Sequence, residues 1–247
     1  MDQRLIMPPA TSPQSRIGGH ILVDNLIAHG VETVFGVPGE SFLAVLDGFY
    51  ARQDRIRFII CRQEGGAANM ADAHGKLTGR PGVCMVTRGP GATNASIGVH
   101  TAFQDSTPMV LLIGQVGGDF VDREAFQEID YRQMFRPIAK WVAQIDRAER
   151  IPEYVSHAFH VAMSGRPGPV VLALPEDMLT QEATVADLAH YQTVQAAPAP
   201  ADIARFAGLL AAAKAPVVVL GGSGWDQAAR ANIRAFAEAW QLPVGCA

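Results

Sequence analysis

The chain has 247 residues, of which 49% are hydrophobic and 18% charged, with a formal net charge of −4. That balance fits a soluble globular protein with a substantial core and offers no basic footprint for nucleic acid or an anionic membrane. No apolar run reaches the roughly 18 residues that a bilayer-spanning helix needs. The cysteines, Cys61, Cys84 and Cys246, form no Cys-x-x-Cys, so reduced thiols in a cytoplasmic protein are expected.

Residues 1–15 are polar and Pro-rich without a basic stretch leading into an apolar one, and read as a disordered lead-in rather than a secretion signal. Beyond them, short apolar runs alternate with helical periodicity, the pattern of repeated βα units. A helix is expected over 15–29, where Ile17, Ile21, Leu22, Leu26 and Ile27 form one stripe and Gly30 stops it. A strand follows over 31–37, then a turn at Pro38-Gly39 and a helix lined by Phe42, Val45, Leu46 and Phe49. Further strands are expected over 57–61, 82–87, 108–114 and 169–174, with helices over 65–78, 92–102 and 151–163 between them. The helix over 65–78 is so rich in Ala and Gly that it must pack closely against a neighbour.

Residues 180–200 lack a strong period and end Ala196-Ala197-Pro198-Ala199-Pro200, which predicts an interdomain linker. The stretch 201–247 opens a second unit. It has helices over 201–213 and 226–240, a strand over 216–220, the turn Gly221-Gly222-Ser223-Gly224 and another strand near its end. The expected fold is α/β: a parallel six-stranded sheet flanked by helices over 16–179, then the start of a second open α/β domain.

Glu64 is the most informative residue. It sits where the apolar run 57–61 gives way to a helix, and so at a strand's carboxyl end, where open α/β sheets build ligand crevices. On its own it could simply favour a helix N-terminus. Thr87-Arg88-Gly89-Pro90-Gly91-Ala92-Thr93-Asn94 joins a strand to a helix but lacks the third Gly of a dinucleotide fingerprint and the Lys of a P-loop. His157 and His160 lie one helical turn apart with no third metal ligand at compatible spacing.

The order and spacing of four segments resemble the N-terminal part of thiamine diphosphate enzymes, and most closely the acetolactate synthase large subunit. These segments are Phe58 to Ala68 around Glu64, Thr87 to Asn94, Ala125-Phe126-Gln127-Glu128 and Ser164-Gly165-Arg166-Pro167-Gly168-Pro169. The resemblance implies a pyrimidine-binding domain. In it Glu64 hydrogen-bonds the cofactor's aminopyrimidine in a water-poor cleft and turns the cofactor on. Pro38, Gly39, Thr87, Pro90 and Asn94 shape that end of the pocket, with Gln127 and Lys140 near the reacting groups. Phe126 borders the substrate entrance.

The resemblance further implies Mg²⁺ held by a C-terminal domain and a homodimer or homotetramer that shares its active sites between subunits. It implies 2-oxo acid substrates, and a chain that binds cofactor weakly or not at all without the remaining domains. FAD is left open, with Arg136, Gly221 and Gly222 as its matching contacts. Two positions depart from the pattern: Glu40 stands where a Gly is usual, and Arg88 where a Ser is usual. They could pair with each other, or Arg88 could take a substrate carboxylate. Alternatives are enzymes like oxalyl-CoA decarboxylase, pyruvate oxidase or sulfoacetaldehyde acetyltransferase, a non-catalytic homologue acting as a dimerisation module, and a nucleotide-binding protein with Gly89 to Asn94 as its loop.

Overall fold

The computed structural model describes residues 14–194, 196–222 and 224–247, so nearly all of the lead-in expected over 1–15 lies outside the described residues. In chain order the first elements are β1 (Ser15–Ile17), α1 (Gly18–Ala28), β2 (Thr33–Gly36), α2 (Leu43–Ala51), β3 (Arg57–Ile60) and α3 (Glu64–Thr78). Then come β4 (Gly82–Val86), α4 (Pro90–Gln104), β5 (Met109–Gln115), α5 (Tyr131–Phe135), β6 (Trp141–Gln144), α6 (Ile151–Met163) and β7 (Pro169–Pro175). The last are α7 (Glu176–Thr180), β8 (Glu182–Thr184), α8 (Pro200–Ala212), β9 (Val218–Leu220), α9 (Gln227–Ala239) and β10 (Val244–Cys246).

Six strands form one sheet in the order β3-β2-β4-β5-β7-β6, and every pairing in it is parallel. Successive residues of a strand face opposite sides, and both sides here are covered. Val83, Met85, Val110 and Leu112 pack with α1, α2 and α6, while Cys84, Val86, Leu111 and Ile113 pack with α3, α4 and α5. That is why β4 and β5 read as unbroken apolar runs. The sixth strand, for which no single run stands out in the sequence, is β6. It is a four-residue, partly exposed strand at the sheet's edge.

The first helix begins at Gly18 rather than Ser15. Residues 15–17 are taken up by an antiparallel pairing of β1 with β8, which aligns Arg16 with Ala183. The expected linker is therefore structured in its first half. Asp187 accepts from Arg16 and from Asn25, and Tyr191 is buried against His29 and Phe159. Strands β9 and β10 pair in parallel as a separate two-stranded sheet. The order of the main sheet reverses between β2 and β4, so the crevice outside their carboxyl ends is the position at which such sheets bind ligands.

Candidate active site

Three turns meet at that crevice. The turn after β2 carries Pro38, Gly39, Glu40 and Ser41, the residues after β3 lead into Glu64, and the turn after β4 carries Thr87 to Gly91. Ser41 and Thr87 join the first and third turns by a hydroxyl–hydroxyl hydrogen bond of 2.8 Å. Gly39 is required there, because a Cβ on it would stand 2.5 Å from the Cβ of Thr87.

Glu64 is the first residue of α3, after Gln63, whose side chain caps the helix by accepting from the Gly66 N–H. Its carboxylate is half-buried, and Oε2 accepts from Asn94 Nδ2 at 2.9 Å. Oε1 receives no hydrogen bond among the described residues and faces Gly91, where a Cβ would lie 3.6 Å away. Two helix N-termini, those of α3 and α4, thus converge on one carboxylate, a placement their dipoles favour. This chain alone does not enclose Glu64, which differs from the dry cleft expected of it. The donor on one oxygen, the open second oxygen and the missing Cβ at Gly91 fit a planar heterocycle that hydrogen-bonds a carboxyl.

The turn after β4 is pinned from behind. Gly89, at φ 59°, donates its N–H to the Tyr131 hydroxyl at 2.9 Å, and the Thr93 N–H returns to the Gly89 carbonyl. Gln127 packs on Gly89 so closely that a Cβ there would stand 2.6 Å from the Cβ of Gln127. Phe126 is 73% exposed beside it. Arg88 is buried and donates from Nη2 to Glu40 Oε1 at 2.7 Å and from Nε to the Phe126 carbonyl at 3.1 Å. The pairing with Glu40, one of the two roles open to Arg88 in the sequence, is present, and Nη1 is left without a hydrogen-bond partner among the described residues.

The structure therefore brings together Gly39, Thr87, Arg88, Pro90, Asn94, Glu64, Phe126 and Gln127, with Pro38 exposed on the rim. It does not bring Lys140 there. Lys140 precedes β6, at the amino end of the parallel sheet, and its Nζ donates to the carbonyls of Val161 and Ser164 at the end of α6. Burial lowers its pKa. Arg136 is exposed on the turn after α5, and Gly221 and Gly222 follow β9 in the separate small sheet. Ser41 and Tyr131 were not among the candidate site residues. Ser41 adjoins the Pro38-Gly39 turn, but no local signal marks Tyr131, which reaches the site from α5.

Residues 16–134 match the model of the thiamine pyrophosphate enzyme N-terminal domain, described as a TPP-binding domain. Fold and match together define an N-terminal thiamine diphosphate-binding domain, and the chain is homologous over most of its length to acetolactate synthase large subunits. It is 36% identical over 240 residues to the acetolactate synthase large subunit of Corynebacterium glutamicum, covering 95% of this chain and 38% of that protein. It is 37% identical over 235 residues to the isozyme 3 large subunit of Escherichia coli, covering 93% and 41%. With the probable acetolactate synthase large subunit of Methanocaldococcus jannaschii the identity is 37% over 235 residues, covering 92% and 39%. The chain thus spans about 40% of the length of these relatives.

Proposed function

We propose that this chain is the pyrimidine-binding half of a thiamine diphosphate-dependent 2-oxo acid decarboxylase/carboligase of acetolactate synthase type, with Glu64 activating the cofactor. When bound, thiamine diphosphate supplies the carbon nucleophile that such chemistry needs. The chain's own part is to hold a proton in the right place. Glu64 Oε1 would hydrogen-bond the aminopyrimidine and share a proton with it, while Asn94 fixes Oε2 and so aims the carboxyl. Enclosure comes from a second copy of the protein. Ile97 on α4 is exposed next to Gly65, and Met70 and Leu77 are exposed further along α3, which favours a homodimer or homotetramer built on these helices. Gln127 and Phe126 border the crevice toward the substrate, and Mg²⁺ is held by residues outside this chain. Flavin contacts at Arg136, Gly221 and Gly222 rest on resemblance alone.

The observation that carries the reading is one carboxylate at the meeting of two helix N-termini, held on one oxygen and open on the other. A half-buried, hydrogen-bonded carboxylate is not costly, so its burial gives no argument against a non-catalytic homologue, and an experiment has to decide. Glu64→Gln in the full-length protein is expected to lower turnover of pyruvate, and exchange of the cofactor's C2 proton, by about 10²- to 10⁴-fold. Survival of both rates sinks the catalytic reading. The rival thiamine diphosphate enzymes differ in donor as well as acceptor, so product analysis with pyruvate, oxalyl-CoA and sulfoacetaldehyde supplied separately distinguishes them.

A further inference from the structure

We propose that Arg88 is a positioning residue that latches the 117–130 loop onto the turn between β4 and α4, with Glu40 acting through it. The side chain of Arg88 is only 8% exposed, and its guanidinium touches three separate segments. Nη2 binds Glu40 after β2, Nε binds the Phe126 carbonyl in the loop, and Nη1 lies 3.6 Å from Glu176 Oε2 at the start of α7. One cation between two carboxylates is held firmly, since leaving it unpaired at this burial would be costly.

The loop needs such an anchor. Asp122, Glu124 and Gln127 have φ of 61°, 53° and 65°, a left-handed conformation that costs a non-glycine residue free energy and persists only where the surroundings hold it. Within the loop, the Glu128 carboxylate accepts from the N–H groups of Asp122 and Ala125. Outside it, the Arg88–Phe126 hydrogen bond and the packing of Gln127 on Gly89 fasten it to the β4–α4 turn. Ser is too short to serve Glu40 and the Phe126 carbonyl together, and a Lys ammonium lacks the planar fork whose Nη2 and Nε meet them here. This accounts for the joint departure at positions 40 and 88. Two of the guanidinium nitrogens, Nη2 and Nε, are thereby engaged internally, while Nη1 has no hydrogen-bond partner among the described residues.

The latch stands independently of the cofactor; its importance for catalysis rests on the thiamine diphosphate reading. Hydrogen exchange with mass spectrometry on the cofactor-free chain tests the first part. In Arg88→Gln, amides of residues 121–128 are expected to exchange about ten-fold faster, with α6 unchanged, and Arg88→Lys falls between it and the wild type. Glu40→Gln is expected to give about a three-fold increase in the wild-type background and none when added to Arg88→Gln. Unchanged loop exchange in a folded Arg88→Gln, or a full Glu40→Gln effect in that background, overturns the latch. If Arg88→Gln does not fold, Glu40→Gln and Arg88→Lys decide, and unchanged exchange in both overturns it.

In the full-length protein, Arg88→Gln (or Arg88→Lys if only that folds) is expected to lower kcat about ten-fold while thiamine diphosphate affinity stays within about two-fold. An unchanged kcat with a loosened loop overturns the positioning role. Failure of Glu64→Gln to impair turnover would remove the cofactor reading and leave the exchange result to stand or fall alone.

Discussion

His29 shows how far one side chain can be committed by its surroundings. It ends α1 and is buried, its ring stacks on Phe159 at 5.1 Å, and its Nδ1 accepts the Tyr191 N–H at 3.1 Å. An acceptor Nδ1 puts the neutral ring's proton on Nε2, which has no partner among the described residues. Burial, with smaller contributions from His190 and His160, lowers the His29 pKa to about 4. An unfolded histidine titrates near 6.5. Between those values the unfolded chain binds a proton that the native state refuses, so His29's contribution is complete above about pH 6.5 and is lost as pH falls toward 4. The full loss is on the order of 3 kcal/mol. His29→Gln keeps an acceptor for the Tyr191 N–H and removes the titration. Urea unfolding at pH 7 and pH 5 is expected to show a smaller pH-dependent loss in that variant than in the wild type, whereas equal losses would mean that His29 titrates alike in both states.

At the scale of elements, the contact that places Glu64 is the packing of α3 on α4. Gly65 lies against Asn94 and Ile97, and Ala68 against Gly98, and this close approach brings the two helix N-termini together at Glu64 and Asn94. A Cβ on Gly98 would lie 2.5 Å from the Ala68 Cβ and 2.7 Å from its carbonyl carbon. Gly98→Ala is therefore expected to destabilise by about 2 kcal/mol through overpacking. Gly66→Ala on α3, where a Cβ meets nothing within 4 Å, should gain up to about 1 kcal/mol in helix propensity. Chemical denaturation of both variants checks the contrast, and a neutral Gly98→Ala would show that the helices can separate freely.

The Ala/Gly richness of this stretch was legible in the sequence, as were β4, β5 and β7, because strands covered on both faces leave continuous apolar runs. Strand β6 was not, since four edge residues of mixed polarity carry little period. The β1–β8 pairing was also hidden, because its two three-residue strands lie 165 or more positions apart and neither has a local signal. At the site, Glu64, Asn94 and the Arg88–Glu40 pair stood out by motif or by departure from it. Lys140 was grouped with them by resemblance, although it sits before β6 at the other end of the sheet, a placement that residue type cannot reveal.

For the whole molecule, the question is which residues complete the six-stranded unit. Arg16 donates to Asp24, to Asp187 and to the Val185 carbonyl. Asn25 is fully buried and donates to Asp187, while its Oδ1 accepts the Leu188 N–H. Tyr191 covers His29. Residues 182–191 therefore act as a strap across α1 and α6, joined to the rest by β1–β8 pairing and by buried polar contacts that would be left unsatisfied without them. Residues 200–247 differ. Ala237 and Leu242 are the only buried apolar residues among those described there, and β9 and β10 pair with each other rather than with the main sheet. Truncation after 191 is accordingly expected to leave the thermal midpoint of the remaining unit within a few degrees of the full chain's. Truncation after 180 removes β8 and the strap's contacts to Arg16, Asn25 and His29, and is expected to cost about 3 kcal/mol or more, enough to lower the midpoint by roughly 6–12 °C. Calorimetry on the two truncations decides. Equal midpoints would mean that the strap adds nothing, and collapse of the 191 truncation would mean that the unit depends on the residues beyond it.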